Sequence, residues 1–217
     1  MPEPITLVAM GGGVGALAFY ARRYFLISKE VLDIMVGAIA LVVALPIMAV
    51  CAAIIKLSSR GPVLFSQVRV GQHGRLFRMY KFRTMYLDAE KGTGAVWAKD
   101  KDPRIIPACR WMRVSHMDEL PQLVQIVSGV MSLVGPRPER PEIMARLERH
   151  YPNVRQRLVV KPGLTGLAQI RTGYDATIEG FRGKLEADLE YIGNLSWSQD
   201  LKILAMTATK LMDRKAK

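Results

Sequence analysis

The stretch that most constrains how this chain can fold is a run of 22 residues, 34–55, without a charged side chain. At about 1.5 Å per residue, a helix of this length reaches across a bilayer. Pro46, near its middle, removes a backbone hydrogen bond and bends a helix. Lysines flank both ends, so the positive-inside rule gives no direction. The pattern predicts a helix that enters a membrane, bends at Leu45-Pro46 and returns to the same face. A bent helix that spans the membrane is the alternative.

A shorter uncharged run, residues 5–21, is followed by Arg22 and Arg23. It is just short for a spanning helix, and each glycine in it weakens a helix by about 1 kcal/mol relative to alanine. It therefore either spans, with the N-terminus outside, or lies on the membrane. The sequence divides the chain into an apolar N-terminal segment (1–28), a re-entrant membrane helix (29–58) and a cytosol-facing domain (59–217).

The composition points to an anionic partner. The net charge is +12, half of the residues are apolar, and the mean hydropathy is +0.12. Such an excess of cations suits nucleic acid, anionic lipid or a phosphorylated substrate. Aromatic residues make up only 7% and do not alternate with basic ones, which argues against single-stranded nucleic acid. Cys51 and Cys109 have neither CxxC nor zinc-site spacing, which predicts a reducing, cytosol-facing environment.

After Pro62 the pattern changes to that of a β-hairpin. Residues 63–70 are rich in β-branched and aromatic side chains, a glycine-bearing turn follows, and residues 75–82 read as the return strand. The hairpin leads to Arg83 and then to the carboxylates Asp88 and Glu90. A carboxylate among fixed cations stays ionised and can act as a nucleophile or a metal ligand. The local alternative is a charged surface turn.

A helix is predicted to begin at Ser115. Ser115 and Asp118 have capping-box spacing, Asp118 and Glu119 suit a helix N-terminus, and apolar residues then recur at helical spacing up to Val130. The acidic pair could be catalytic, but capping accounts for it and is the favoured interpretation.

Two irregular segments follow. Residues 134–142 hold three prolines and a glycine, which fix Arg137 and Arg140 in set directions. A fixed guanidinium suits phosphate oxygens or a base edge, whereas bonding to carbonyls of the loop is an equally weighted alternative. Residues 161–166 form a second glycine-bearing basic turn that could offer backbone N–H groups to an anion.

Two further helices are predicted near the C-terminus. The first, residues 181–191, carries Asp188, which would by default be solvated. In the second, Trp197, Leu201, Leu204 and further apolar residues form one face beside many basic residues. That face suits core packing, with the membrane interface as a close competitor.

Several stretches together resemble one family. From about Lys29 to Lys210 the chain resembles the bacterial sugar transferases, the monotopic polyprenyl-phosphate phosphoglycosyl transferases of the inner-membrane face. The resemblance rests on five stretches in order: Ser59-Arg60-Gly61-Pro62-Val63-Leu64-Phe65, Lys81-Phe82-Arg83-Thr84-Met85, Asp118-Glu119-Leu120-Pro121-Gln122-Leu123, Ser132-Leu133-Val134-Gly135-Pro136-Arg137-Pro138 and Lys161-Pro162-Gly163-Leu164-Thr165-Gly166. It implies an α+β membrane-associated fold, with a proline-broken re-entrant helix and a mostly helical cytosolic domain that carries a small β-hairpin.

The resemblance also implies a reaction at the bacterial inner membrane: transfer of a phosphosugar from a UDP-sugar to a polyprenyl phosphate, with release of UMP. It implies an acidic pair after the Lys-Phe-Arg motif as nucleophile and Mg²⁺ ligand, which points to Asp88 and Glu90, although Ala89 separates them. Phosphate and nucleotide binding would fall to Arg83, Arg137, Lys81, Arg69 and Asp188.

The sequence leaves a second class of function open. A non-enzymatic basic membrane protein could anchor an acidic partner or nucleic acid through its charge of +12. Arginines locked in proline- and glycine-rich loops beside carboxylates favour the enzyme, for which nucleic acid is not an expected partner. No residue pattern in the sequence identifies the sugar. The sequence is compatible with a homo-oligomer.

Overall fold

The computed structural model describes residues 14–87, 102–172 and 177–212 and shows helices with two small sheets. Within that part of the chain the α-helices are α1 (Val14–Ser58), α2 (Arg110–Val114), α3 (Leu123–Val127), α4 (Pro141–His150), α5 (Leu167–Arg171), α6 (Phe181–Gly193) and α7 (Trp197–Met212). The strands are β1 (Leu64–Val70), β2 (Leu76–Phe82), β3 (Ser132–Val134) and β4 (Gly163–Thr165). The predicted mixture of helices with a small sheet is confirmed.

Helix α1 packs on the rest of the protein through one narrow seam. Its buried positions Asp33, Gly37, Ala44, Cys51 and Ile55 recur at spacings of four and seven, so they share one side of the helix. Gly37 allows a close approach to α3, because a Cβ there would lie 2.8 Å from the side chain of Ile126. Outside the seam most apolar side chains of α1 are exposed.

Helix α1 presents an exposed apolar surface along much of its length. From Tyr20 to Ser58 the helix is long and apolar enough to cross a membrane. It continues without interruption through Pro46, so the predicted re-entrant path is not shown. Residues 14–28 of the first predicted segment and all of the second (29–58) lie on this one helix.

Strands β1 and β2 form the predicted hairpin. They pair antiparallel from Leu64 with Phe82 to Val70 with Leu76. Gln125 of α3 bonds the edge of β2: its side-chain oxygen accepts from Tyr80 N at 3.2 Å, and its amide nitrogen donates to the Arg78 carbonyl. The amide satisfies backbone groups that a strand edge leaves unpaired and attaches α3 to the hairpin.

The single helix predicted from Ser115 is wrong. Helix α2 ends at Val114, His116 takes a left-handed conformation with φ 55°, and a 3-10 helix, Met117–Gln122, precedes α3. The left-handed residue reverses the local path of the chain, and Pro121 lacks the N–H that a continuing α-helix uses. Asp118 and Glu119 therefore lie in a tight turn between two short helices.

Strands β3 and β4 bring two glycine-bearing segments into direct contact. They pair in parallel, and Gly163 N donates to Pro136 O at 3.0 Å while Gly135 N donates to Thr165 O at 2.9 Å. A Cβ on Gly163 would lie 2.1 Å from Gly135 N, so this approach requires glycine. Residues 161–166 were predicted as an anion-binding turn. They instead contain a strand, and the Gly163 N–H is used inside the protein.

The C-terminal helix forms as predicted, but the predicted core face is wrong. Leu201 is 65% exposed, whereas Asp200 and Ile203 are buried. The hydroxyl groups of Thr207 and Thr165 are 2.8 Å apart, which joins the buried side of α7 to β4. The alternative prediction, that the apolar face lies in a membrane interface, stays a prediction.

Candidate functional site

One buried carboxylate, Glu119, holds two cations from distant parts of the chain. Lys81 donates to its Oε1 at 2.7 Å. Arg137 binds it with both terminal nitrogens, at 2.6 Å to Oε1 and 3.2 Å to Oε2. A bidentate pair of this kind fixes direction as well as distance. The cluster joins the hairpin, the 3-10 helix and the proline-rich segment at one point.

The three side chains differ in their access to solvent. The Glu119 side chain is 11% exposed, that of Lys81 18% and that of Arg137 36%. The carboxylate is therefore covered while part of the guanidinium faces solvent. Arginine suits phosphate oxygens, so Arg137 is the more accessible candidate of the two cations for binding an anion.

The charges around Glu119 keep it ionised. Burial alone would raise its pKa, but Arg137 and Lys81 together hold the pKa of Glu119 well below its ordinary value. Burial lowers the pKa of Lys81, and Glu119 opposes that shift. Glu119 thus stays ionised at neutral pH, and its charge offsets part of the effect of burial on Lys81.

Asp118 lies beside this cluster in a different state. It is buried, and within the described part of the chain its carboxylate accepts no hydrogen bond. Burial raises the pKa of Asp118 above its ordinary value, while Lys81 and Arg113 lower it. A desolvated carboxylate near cations, with its oxygens uncommitted, has the properties of a nucleophile or metal ligand.

Capping, the favoured interpretation of these two carboxylates, is wrong. The residue before the 3-10 helix is His116, and no side chain caps that helix. The alternative in the sequence, a catalytic pair, stays a prediction. The available signal was Pro121, which shortens the helix and leaves the two acids on a turn facing β2.

The main chain of the proline-rich segment is fixed around Arg137, because each carbonyl of residues 136–139 accepts a hydrogen bond. The carbonyl oxygens of residues 136–139 accept, in order, from Gly163 N (3.0 Å), Arg157 Nη2 (2.8 Å), Arg69 Nη1 (3.0 Å) and Val70 N (2.9 Å). The prediction weighed phosphate against loop carbonyls as partners for Arg137. The Arg137 guanidinium bonds Glu119, while the side chains of Arg157 and Arg69 donate to two of the loop carbonyls.

The remaining predicted site residues fall in different places. Arg69 donates to Pro138 O at 3.0 Å and to Gln67 at 2.6 Å, and burial lowers its pKa to about 10. Arg83 is buried and donates to the carbonyls of Arg60 and Ser59, at the end of α1. Their shown contacts are with the protein, and their binding of phosphate stays a prediction.

Asp188 is not solvated, contrary to its default interpretation. It is 1% exposed on α6 and accepts two hydrogen bonds from Arg157, at 2.9 and 2.7 Å. Asp88 and Glu90 lie outside the described residues, and their assignment as nucleophile and Mg²⁺ ligands stays a prediction.

Comparison with known proteins gives a consistent result. A family model described as "Bacterial sugar transferase" matches residues 24–214. The chain is 40% identical over 184 residues to a UDP-N-acetylgalactosamine-undecaprenyl-phosphate N-acetylgalactosaminephosphotransferase of Aeromonas hydrophila, covering 85% of this chain and 43% of that protein. It is 37% identical to a UDP-glucose:undecaprenyl-phosphate glucose-1-phosphate transferase of Xanthomonas campestris pv. campestris, with 89% and 40% covered.

Relatives of different length match the same part of the chain. An exopolysaccharide production protein PSS of Rhizobium leguminosarum bv. phaseoli is 37% identical over 87% of this chain and 97% of its own length. The chain thus spans about two fifths of the first two relatives and nearly all of the third.

Proposed function

This chain belongs to the bacterial sugar transferase family, and we propose that it transfers a phosphosugar from a UDP-sugar to undecaprenyl phosphate with release of UMP. The names of the relatives supply the acceptor and the type of donor. The sugar itself differs among those names. The observation that carries the proposal is the Asp118–Glu119 pair, buried against Lys81 and Arg137.

Cations outnumber carboxylates around this pair, as the transfer of a charged group requires. Among the described residues, Lys81, Arg113 and Arg137 lower the pKa of Asp118, and Glu119 is the one acid that raises it. A diphosphate brings further negative charge to the site. Phosphoryl transfer depends mainly on positioning and on neutralising that charge.

We assign the attacking group to Asp118 in place of Asp88, because Asp118 is a buried carboxylate on which the charges of Lys81, Arg113 and Arg137 act. An oxygen of its carboxylate forms a bond to the β-phosphorus of the donor, and the bond from that phosphorus to the bridging oxygen breaks, so that UMP leaves. An oxygen of the lipid phosphate then attacks the same phosphorus and displaces Asp118 as a free carboxylate. Two steps let a soluble donor and a membrane acceptor use one site in turn.

Glu119 positions the two cations of the site. Ionised and bonded to both cations, it fixes Lys81 and Arg137 beside Asp118. The exposed part of the Arg137 guanidinium is placed to receive a phosphate oxygen of the donor.

Mg²⁺ is part of the proposal, and the described residues fit it only in part. The described ranges contain no group of three or more metal-ligating side chains. Mg²⁺ commonly uses one or two carboxylates together with substrate phosphates, and Asp118 is a carboxylate that accepts no hydrogen bond from the described residues. Asp118 would hold the ion with the diphosphate, and Asp88 and Glu90 are the further predicted ligands. The ion would neutralise charge on the diphosphate.

The membrane position follows from two exposed apolar surfaces that adjoin. Apolar side chains of α1 and α7 are exposed, and the rings of Phe25 and Trp197 lie 5.1 Å apart where the two helices meet. We place both helices against the cytosolic face of the inner membrane, with α1 entering the bilayer and bending at Pro46. This position would hold the site near the lipid phosphate.

The proposal is tested with the full-length chain in detergent or nanodiscs. Purified protein is incubated with undecaprenyl phosphate, Mg²⁺ and each of a panel of UDP-sugars, and UMP is measured. We expect UMP release with one or a few donors, and its loss when either the lipid or Mg²⁺ is omitted. Absence of UMP with every donor, together with salt-sensitive nucleic-acid binding, would favour the basic membrane anchor instead.

A further inference from the structure

The segment that carries Arg137 cannot be held by regular secondary structure. Pro136 and Pro138 have no N–H group, so this backbone offers carbonyl oxygens on both sides of Arg137 and few donors. Every carbonyl of residues 136–139 accepts a hydrogen bond from another part of the chain. The carbonyl of Arg137 itself accepts from the Arg157 side chain, at 2.8 Å.

Arg157 is itself fixed from three sides. Asp188 accepts its Nε at 2.9 Å and its Nη2 at 2.7 Å, and the Phe181 ring lies 5.3 Å below the guanidinium. The two charged side chains are only 3% and 2% exposed. The guanidinium therefore has little freedom, and the Arg137 carbonyl that it binds is held with it.

We propose that Arg157, oriented by Asp188, is a positioning residue for the transfer reaction, because it fixes the main chain from which Arg137 reaches Glu119 and the donor phosphate. This inference rests on the proposed function. Arg157 itself bonds the main-chain carbonyl of Arg137 and acts through Arg137 only.

Stability alone does not account for a buried ion pair at this place. Replacing such a pair by apolar side chains of similar volume is often neutral or stabilising, whereas removing one partner is strongly destabilising. Phe181, which lies against the Arg157 guanidinium, belongs to an apolar cluster that also includes Leu185, so apolar side chains already pack beside the pair. An apolar pair cannot donate a hydrogen bond to the Arg137 carbonyl, and this is what the arginine adds.

The test uses the double variant Arg157→Met/Asp188→Leu in the full-length chain. Because no charge is left unpaired, we expect thermal unfolding close to that of the wild type. We expect kcat/KM for the UDP-sugar to fall 10- to 100-fold, since a misplacement of about 1 Å has effects of this size. KM for the lipid phosphate should stay unchanged. The matched control is Arg171→Met/Glu190→Leu, an exposed ion pair on α5 and α6, which should leave all of these values unchanged.

A double-mutant cycle with Arg137→Lys separates positioning from a general structural effect. With lysine at position 137 the bidentate contact is already lost, so the double replacement should lower kcat/KM by less than about threefold. An equal loss in both backgrounds, or wild-type kcat/KM in the double variant, would overturn the proposal. If the double variant does not fold, Arg157→Lys is measured: we expect a roughly tenfold loss, and wild-type turnover would overturn the proposal. A wild-type protein that releases no UMP would instead refute the proposed function.

Discussion

Two ion clusters in this protein have the same size and opposite organisation. At the candidate site one acid, Glu119, sits between two cations, Lys81 and Arg137. Between α1 and α7 one cation, Lys29, sits between two acids, Asp33 at 3.2 Å and Asp200 at 2.6 Å.

The clusters differ in how completely their groups are satisfied. In the Lys29 cluster Ser132 donates to Asp33 at 2.5 Å and Tyr191 donates to Asp200 at 2.8 Å, and each charged side chain is less than a tenth exposed. In the Glu119 cluster Arg137 is over a third exposed, and neighbouring Asp118 accepts no hydrogen bond from described residues. A closed network specifies structure, whereas an open one keeps groups available for a ligand.

The largest effect on turnover is expected when Glu119 is replaced. In Glu119→Gln the two cations lose the charge that orients them, so we expect kcat/KM to fall about 10³-fold, which corresponds to about 4 kcal/mol of transition-state stabilisation. The melting temperature should fall less than in a variant of the Lys29 cluster, because the Lys81 and Arg137 side chains are more exposed than those of that cluster. Turnover within threefold of the wild type would show that this cluster is structural, like the other one. Glu148→Gln, at a largely exposed ion pair, is the control.

Lys29→Met should lower stability and leave turnover nearly unchanged, the reverse of the effect of Glu119→Gln. Two buried carboxylates lose their shared cation, so we expect the free energy of unfolding to drop by about 3 kcal/mol. Turnover per folded molecule should stay within about twofold, measured beside chemical denaturation. Lys202→Met, an exposed lysine on α7, should change neither quantity. A stable Lys29 variant with low turnover would mean that the two clusters are not divided as described.

Tyr191→Phe is a smaller change in the Lys29 cluster. Its hydroxyl donates to Asp200 at 2.8 Å and lies 3.1 Å from the Val134 carbonyl. Removing it leaves buried acceptors without this donor, so we expect a loss of about 1–2 kcal/mol in the free energy of unfolding with unchanged kcat. Tyr151→Phe removes a less buried hydroxyl and should be less destabilising. Equal losses in the two variants would contradict the central place of Tyr191.

The smallest effect is expected in the pH dependence of turnover. Asp118 must be ionised to attack, and its raised pKa predicts that turnover is lost, as the pH falls, at a higher pH than for an ordinary aspartate. Arg113 lowers that pKa, so Arg113→Met should move this acid limb to higher pH by less than about one unit. Arg110→Met, on the exposed side of α2, should leave the limb in place. A shift to lower pH would contradict the assignment of Asp118.

Local patterns predicted the elements, and contacts distant in sequence decided the site. The hairpin, α6 and α7 follow from periodicity and turn residues that lie within each segment. Capping was inferred for Asp118 and Glu119 because their spacing from Ser115 is local. The actual partners of Glu119 are 38 residues before it, at Lys81, and 18 residues after it, at Arg137. No local pattern carries that information.

Burial was the second quantity that the sequence could not supply. The regular apolar spacing of Trp197 and Leu201 indicated a core face, yet the buried side of α7 carries Asp200, whose charge is matched by Lys29 of α1. Asp188 was expected in solvent for the same reason, because its partner Arg157 is 31 residues away. A charged residue is buried where a distant partner compensates its charge, and the pattern within one segment carries no information about that partner.

The central claim is that Asp118 is the group that receives the phosphosugar, and one measurement tests it directly. The wild type, Asp118→Asn and Asp88→Asn are each incubated with a UDP-sugar substrate and Mg²⁺ without lipid, and the intact mass and the modified peptide are determined by mass spectrometry. We predict that the wild type and Asp88→Asn gain the mass of one phosphosugar on the peptide that contains Asp118, and that Asp118→Asn gains none. An adduct on Asp88, or an adduct that persists in Asp118→Asn, would contradict the account.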